Sequence, residues 1–329
     1  MSTETKNKNK NKSSDRSSPS NRSRSKLSSK TNEEDEEEDI DEDIMPRREN
    51  SIQVCPSTHN IIAAVTFHDG YIFRQLMHFL ESNFECVPMC FTENGIFLSG
   101  GNDINSLVCK NFFDKNELLE YKLDMEKIND PVNGCHMINI NLKEYYNQIK
   151  GIAKKESISL CQYEKRQDIV FITSYGGNDT NDGYDILKTE DFTNKCYDTT
   201  EVDSIQEANS KTTLLSFALA CKKSAKIKRV NSTFKLSKTN CKIISKNEVG
   251  TTSSIADWGF CKRKKTVVFY ETLVNSKILK KLEKISNLNT NGVIRMYCNS
   301  DGIIRLETKL GTMGHTCIYL IDPTVIDIK

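Results

Sequence analysis

From residue 59 onward, apolar and polar residues alternate in short, regular blocks that predict a mixture of strands and helices. Residues 71–84 place Phe73, Leu76 and Leu80 on one face, which predicts an amphipathic helix. Three more helices are predicted at 141–155, with Asn141 as N-cap, at 212–226 and at 275–288. Strands are predicted at 60–67, 86–92, 96–99, 106–113, 117–124, 135–140, 157–163, 167–175, 232–236, 242–245, 266–270, 292–298, 303–310 and 316–321.

The order of the predicted elements repeats along the chain. The first and third helices, and the second and fourth, are separated by about 135 to 140 residues. Each half combines two helices with many antiparallel strands, which favours an α+β fold over a doubly wound parallel sheet. We divide the chain into a tail at 1–50, a first unit at 51–175, a connector at about 176–198 and a second unit at 199–329.

Residues 1–50 are polar, and their charges are segregated. The segment has no aromatic residue and few aliphatic ones, which predicts that it does not fold. Residues 1–32 are basic, and residues 33–43 are nearly all acidic. Two interpretations stay open: a nuclear-targeting or phosphorylatable segment, or a solvated spacer.

The composition argues against membrane, secreted and zinc-binding proteins. The apolar runs are far shorter than the roughly 20 residues of a membrane helix, and the N-terminus lacks the apolar core of a secretory signal. The 12 cysteines are therefore interpreted as reduced thiols of an intracellular protein. Cys86 and Cys90 are the only close pair with ligand spacing, and no C-x-x-C motif is present, so we predict no metal.

Basic residues form stripes on the predicted helices. The second helix carries Lys143, Asn147, Lys150 and Lys154 on one face. A single stripe of this kind usually serves to solvate a surface. Recurrence on a corresponding helix, with few acids nearby, favours a surface that faces phosphates. The fourth helix carries Lys277, Lys280, Lys281 and Lys284, the third carries Lys222, Lys223 and Lys226, and the first carries Arg74 and His78.

No catalytic motif is evident. The sequence has no phosphate-binding P-loop, no H-E-x-x-H helix and no G-x-S-x-G elbow. The five histidines show no ligand or nucleophile–base spacing, and residues 311–315 lie between two predicted strands, which indicates a turn. We therefore predict a protein that is not an enzyme and needs no cofactor.

The segment 291–323, NGVIRMYCNSDGIIRLETKLGTMGHTCIYLIDP, resembles the C-terminal end of the eukaryotic and archaeal sliding-clamp family, typified by proliferating cell nuclear antigen. The residues at 313–315 and 319–320 stand where the family has its Met-Gly-His loop and its last strand. The first unit is similar in IFRQLMHFLESN, FTENGIFLSG and SLVCKNFF. The resemblance covers roughly 60–175 and 205–325.

The resemblance implies two clamp domains per chain and a homotrimeric ring around duplex DNA, without sequence preference. It implies that the edge strand at 167–175 pairs with a neighbouring subunit. It also implies partnership with a DNA polymerase, other replication and repair proteins, and a clamp loader. The residues it places toward DNA are Arg74, His78, Lys143, Lys150, Lys154, Lys222, Lys223, Lys226, Lys277, Lys280, Lys281 and Lys284.

The resemblance further implies an apolar site for partner peptides beside the connector. This is where the sequence departs most from the family, because SGGNDINSLV lacks the family's larger apolar groups and histidine. One extra residue also precedes Pro323. The positions that match the site are Ile104, Leu107, Leu288, Tyr319, Leu320, Ile321 and Pro323.

Three alternatives to a homotrimeric clamp stay open. The chain could be a monomeric DNA-binding processivity factor, a checkpoint-type subunit of a hetero-ring, or an enzyme whose site is assembled from distant residues. The expected location is the nucleus or a cytoplasmic viral replication site. The abundance of Lys, Asn and Ile indicates an AT-rich genome, and the divergence suits a large DNA virus.

Overall fold

The protein is described by a computed structural model, whose described residues belong to one compact unit spanning 54–329. The predicted tail, Ile104 and Pro323 lie outside the described ranges. Those ranges are 60–102, 107–175, 185–189, 200–227, 231–238, 240–246, 250–257, 270–289, 291–299 and 302–322.

The first half of the unit contains two helices among antiparallel strands. A short 3-10 helix at Lys115–Glu117 precedes the fifth strand. The elements are β1 (Ile61–Phe67), α1 (Gly70–Glu81), β2 (Cys86–Thr92), β3 (Gly95–Asn102), β4 (Leu107–Asp114), β5 (Glu120–Leu123), β6 (Cys135–Asn141), α2 (Leu142–Ile149), β7 (Ser157–Tyr163), β8 (Arg166–Tyr175) and β9 (Asp185–Lys188).

The second half begins with one additional helical turn and then follows the same plan. A second 3-10 helix at Glu283–Asn287 continues the last α-helix. The elements are α3 (Thr200–Asp203), β10 (Ser210–Thr213), α4 (Leu214–Ser224), β11 (Asn231–Leu236), β12 (Asn240–Lys246), β13 (Thr251–Asp257), β14 (Tyr270–Asn275), α5 (Ser276–Leu282), β15 (Val293–Cys298), β16 (Ile303–Leu310) and β17 (Gly314–Ile321).

The strand order within the sheets confirms the internal duplication. In the first half, β4-β3-β2-β6 lie side by side, and β13-β12-β11-β14 repeat that order in the second half. Likewise β1-β7-β8-β9 correspond to β10-β15-β16-β17. The chain therefore consists of two copies of one α+β unit, and β9 and β13 are the counterparts of β17 and β4.

The two copies share one eight-stranded sheet, because β17 pairs with β4 across the boundary. The antiparallel register runs from Gly314 opposite Phe113 to Leu320 opposite Leu107. Phe112 lies between Phe97 and His315, with ring centroids 4.6 Å and 5.6 Å away. Cross-strand aromatic contacts of this kind stabilise neighbouring strands, so they hold the two copies together.

Each of the four longer helices begins at a side-chain cap that the sequence supplies. Asp69, Asn141, Thr213 and Asn275 accept hydrogen bonds from backbone N–H groups in the first turn of α1, α2, α4 and α5. The apolar faces are buried in one continuous core with the sheets. The predicted pattern of helices is thus confirmed, although α4 begins at Leu214 because Thr212 and Thr213 belong to β10.

Several strand predictions differ from the structure. The segment 117–124 contains only the short β5, because its first residues form a 3-10 helix. Within the predicted strand 266–270, only Tyr270 is described, and it begins β14. The strands β9, β10 and β13 were not predicted. The strand β9 pairs with β8 at residues 169–172, so β8 is not the free edge that the resemblance implied.

Candidate nucleic-acid interface

The four longer helices form one continuous layer. The helix α1 packs against α2, α4 packs against α5, and the 3-10 helix at 283–287 contacts both α1 and α4. The apolar side of each helix is buried in the core, which leaves the opposite side available to a ligand. This arrangement brings the four sequence-predicted basic stripes onto a single layer.

Eight of the twelve predicted basic residues are exposed, and four are half-buried. Exposed lysines on flexible stems suit loose contact with a phosphate backbone. The half-buried residues are Arg74, His78, Lys281 and Lys284, and the exposed ones are Lys143, Lys150, Lys154, Lys222, Lys223, Lys226, Lys277 and Lys280.

Arg74 stabilises the end of α2. Its Nη1 donates hydrogen bonds to the carbonyl oxygens of Lys150, at 3.1 Å, and Ile152, at 2.6 Å. These carbonyls follow the last turn of the helix, where backbone acceptors lack helical partners. The guanidinium also lies 4.5 Å from the centre of the Tyr71 ring, over which Lys154 Nζ is placed at 5.6 Å. Arg74 therefore fixes the helix that carries the lysine stripe.

Lys284 and His78 connect the two copies of the repeat. Lys284 Nζ donates to His78 Nε2 at 3.2 Å and to Ser82 Oγ at 2.8 Å. The His78 ring stacks on Tyr146 with centroids 4.8 Å apart. Because the Lys284 ammonium group is a donor only, Nε2 is the unprotonated nitrogen of a neutral imidazole.

The pKa directions show that positive charge accumulates on this layer. Burial lowers the pKa of His78 from its ordinary value of 6.5, and the nearby Lys284 and Arg74 lower it further, while Glu81 opposes them. Burial, followed by the charge of Lys284, lowers the pKa of the Lys281 ammonium. Cations that repel one another in this way gain most from an approaching anion.

We expect His78 to make stability depend on acid pH. Its pKa is lower in the folded chain than in the unfolded one, so its contribution is complete above 6.5 and is lost as the pH falls below that value. The neutral glutamine of His78→Gln can still accept from Lys284. The free energy of unfolding in urea at pH 7.5 and 5.5 should therefore differ less in His78→Gln than in the original protein.

The matched control is His315→Gln, which removes an exposed imidazole from β17. It should keep the full difference between the two pH values. His136, which is buried and whose pKa is also lowered by burial, should supply the acid sensitivity that remains in His78→Gln. An unchanged difference in His78→Gln would contradict this role for the Lys284–His78 contact.

The predicted peptide-site residues that are described are buried in this structure. Leu107, Leu288 and Leu320 lie in the main core. Tyr319 and Ile321 belong to a smaller apolar cluster that includes Val202 of α3. Sequence reasoning missed α3, because a helix of four residues gives no periodic pattern. The surface implied for partner peptides is thus covered by a segment of the same chain.

Metal and membrane sites were also considered. Within the described ranges, no group of three or more His, Cys, Asp and Glu side chains could hold a metal ion. Cys86 is buried, whereas Cys90 is half-buried. In that same part of the chain, no helix is long and apolar enough to cross a membrane.

Comparison with known proteins gives a uniform result at the level of structure. No protein-family model and no curated protein matches the amino-acid sequence. Proliferating cell nuclear antigen from Entamoeba histolytica superposes with a TM-score of 0.63 at 14% identity, over 79% of this chain and 98% of that one. A chain of the PCNA2–PCNA3 complex from Sulfolobus tokodaii gives 0.59 at 13% identity, over 78% and 98%. The chain has the sliding-clamp fold of proliferating cell nuclear antigen.

In this clamp-fold chain, two strands end their sheets without a described neighbour. They are β9, at the end of the five-stranded sheet, and β13, at the end of the four-stranded one. Their counterparts β17 and β4 pair with each other inside the chain. An unpaired strand edge offers backbone donors and acceptors to another chain. The fold thus presents two edges that match the pair already joined within it.

Proposed function

We propose that this protein is a DNA sliding clamp, a subunit of a ring that encircles duplex DNA and tethers a DNA polymerase and other replication and repair proteins. The observation that carries the proposal is the continuous helical layer with exposed lysines on all three of α2, α4 and α5 or just beyond their ends. In such a ring, the layer lines the hole, and loose contacts suffice because the ring cannot leave sideways.

Ring closure is proposed to pair β9 of one subunit with β13 of the next. The model for this contact is the β4–β17 ladder, whose strands are the counterparts of β13 and β9. Because the two edges lie at different places on one subunit, the contact is heterologous and closes when three subunits complete the ring. A homotrimer has a mass of about 112.5 kDa, three times the 37.5 kDa of the chain.

Light scattering over a concentration series tests this assembly. A mass near 112.5 kDa supports a homotrimer. A persistent 37.5 kDa species instead favours either a monomeric processivity factor or a subunit that needs different partners in a hetero-ring. Mixing with candidate clamp proteins and measuring the mass again distinguishes these two cases.

The lysines are proposed to act through charge rather than through base recognition. Replacing Lys143, Lys154, Lys222 and Lys280 by glutamine should weaken binding to duplex DNA and flatten its salt dependence. Each lost phosphate contact reduces the slope of log K against log salt by about 0.9. Fluorescence anisotropy with a labelled 30-base-pair duplex at several salt concentrations measures both quantities.

A control variant separates this effect from overall charge. Lys238, Lys246 and Lys309 are exposed residues of the strands and their turns. Their replacement by glutamine should leave the slope within about half a contact of the original value. Equal losses in both variants would indicate that the helical layer has no special role.

The partners proposed are duplex DNA, a polymerase and other clamp-binding proteins, and a clamp loader that opens the ring. The site of action is proposed to be the nucleus or a cytoplasmic viral replication site. Polymerase tethering acts by raising the effective concentration of the enzyme at the DNA end. The function needs no catalytic group and no cofactor of its own.

A further inference from the structure

The outer face of the eight-stranded sheet is crossed by residues 200–208, a segment that we call the strap. Val202 of the strap is completely buried, and it belongs to an apolar cluster with Val108, Tyr297 and Tyr319 of the sheet. Ile205 and Ala208 pack against the same cluster. The strap therefore covers an apolar patch that would otherwise face solvent.

A single carboxylate attaches the strap to the sheet. Asp203 Oδ1 accepts a hydrogen bond from Tyr319 Oη at 2.6 Å and lies 3.4 Å from Arg305 Nη1. Its other oxygen, Oδ2, lies 3.1 Å from Lys110 Nζ. Arg305 also donates to the strap backbone, from Nη1 to the Asp203 carbonyl at 3.1 Å and from Nη2 to the Ile205 carbonyl at 2.9 Å.

Arg305 determines which chemistry this surface accepts. Only 7% of the residue is exposed, its guanidinium lies 3.8 Å from the centre of the Tyr297 ring, and its Nε has no hydrogen-bond partner. Glu307 lies 3.9 Å from Nη2 and is shared with Arg295. A buried cation that loses its carboxylate is strongly destabilising. Anything that replaces the strap must therefore bring an acid.

The strap itself has few other attachments. Its helix, α3, is a single turn, and Asp203, Ser204, Gln206 and Glu207 are exposed. Segments with few buried contacts open at the lowest free energy. Val202, Asp203 and Ile205 thus supply most of its hold on the sheet, namely one carboxylate with an aliphatic residue directly before it and another two residues after it.

We propose that the strap is an intramolecular plug on a docking surface, and that the partner is a protein segment with the same acidic–aliphatic chemistry, which displaces the strap and binds Arg305, Tyr319 and Lys110. The inference rests on the proposed function, since it assigns the regulation and the partner chemistry of the clamp's peptide surface. The clamp is closed to partners that lack the carboxylate and opens to those that carry it.

The test uses the full chain and a labelled peptide with the strap's own sequence, TEVDSIQEA, residues 200–208. In Asp203→Asn, the strap loses its charge-assisted contacts, and the peptide should bind at least about tenfold more tightly than to the original protein. A peptide with asparagine at the fourth position should bind at least about tenfold more weakly than TEVDSIQEA. Fluorescence anisotropy measures both.

Glu207→Gln is the matched control, because it removes an exposed acid from the same segment. It should bind the peptide as the original protein does. Equal binding to Asp203→Asn, Glu207→Gln and the original protein would overturn the proposal, and so would equal binding of the two peptides. Urea unfolding verifies that Asp203→Asn is folded before the comparison.

The outcome is independent of ring formation, because the peptide assay reports on a surface within one chain. A monomeric protein that shows the tenfold gain supports the plug while contradicting the ring. A trimer that shows no gain supports the ring and contradicts the plug.

Discussion

Replacing Ile255 by lysine is expected to convert the trimer into monomers of 37.5 kDa. Ile255 lies on β13, which ends its sheet, and it is 54% exposed. A large aliphatic side chain at an open edge is best explained by burial against the neighbouring subunit. Full burial of such a side chain stabilises by about 1.5–3 kcal/mol. Lysine loses that contribution and adds the kind of charge that natural proteins use to block edge pairing.

A loss of about 2 kcal/mol per contact raises the dissociation constant of that contact roughly 30-fold. Sedimentation velocity over a concentration series measures the shift. Val132→Lys is the control, since Val132 is 92% exposed, precedes β6 and lies on neither β9 nor β13. It should assemble as the original protein does. An Ile255→Lys variant that remains trimeric at the same concentrations would show that β13 is not at the subunit contact.

Gly314→Ala is expected to have the largest effect on stability. A methyl group at this position would overlap the backbone carbonyl oxygen of Phe112 on β4. Backbone cannot move aside as a flexible side chain can, so β17 would have to separate from β4 at the start of the ladder. Because this ladder joins the two copies of the repeat, we expect the free energy of unfolding to fall by at least ~3 kcal/mol.

Gly151→Ala is the matched control, because a methyl group there would have no atom of another residue within 4 Å. Its effect should stay within about 0.5 kcal/mol. Urea unfolding at neutral pH compares the two variants. If Gly314→Ala were as stable as Gly151→Ala, the close approach of β17 to β4 would be refuted. This glycine also explains physically why the Met-Gly-His segment stands where it does in the sequence.

Sequence patterns predicted the parts of the fold that repeat locally. The four longer helices announce themselves through apolar spacing and through caps such as Asp69 and Asn275. The hairpin of β15 and β16 follows from alternation on both sides of a turn. The duplication followed from counting these elements, and the sheet order confirms it.

Edge elements could not be predicted in the same way. The strand β13, TTSSIAD, has small residues on its buried side, because Ser254 and Ala256 face the helices. The strand β9 is only four residues long and depends on β8 for its hydrogen bonds. The helix α3 depends on Asp203 meeting Arg305, which is about a hundred residues away in sequence. Such elements form through tertiary contact, which leaves little local pattern.

The candidate site shows the same division. Helical spacing predicted the lysine stripes, and the exposed positions of Lys143 and Lys280 agree with that spacing. The capping role of Arg74 and the contact of Lys284 with His78 involve partners 76 and 206 residues apart in sequence. Spacing within one helix cannot reveal contacts over such separations.

The most direct test of encirclement is retention on DNA whose ends can be blocked. The protein is threaded onto a linear duplex with biotin at both ends, streptavidin is added, and the sample is washed at 0.5 M salt, which screens surface charge within about 4 Å. A sliding ring stays on blocked DNA, leaves unblocked DNA, and leaves again when a restriction enzyme opens the blocked duplex. Equal release from blocked and unblocked DNA in the salt wash would contradict the clamp mechanism.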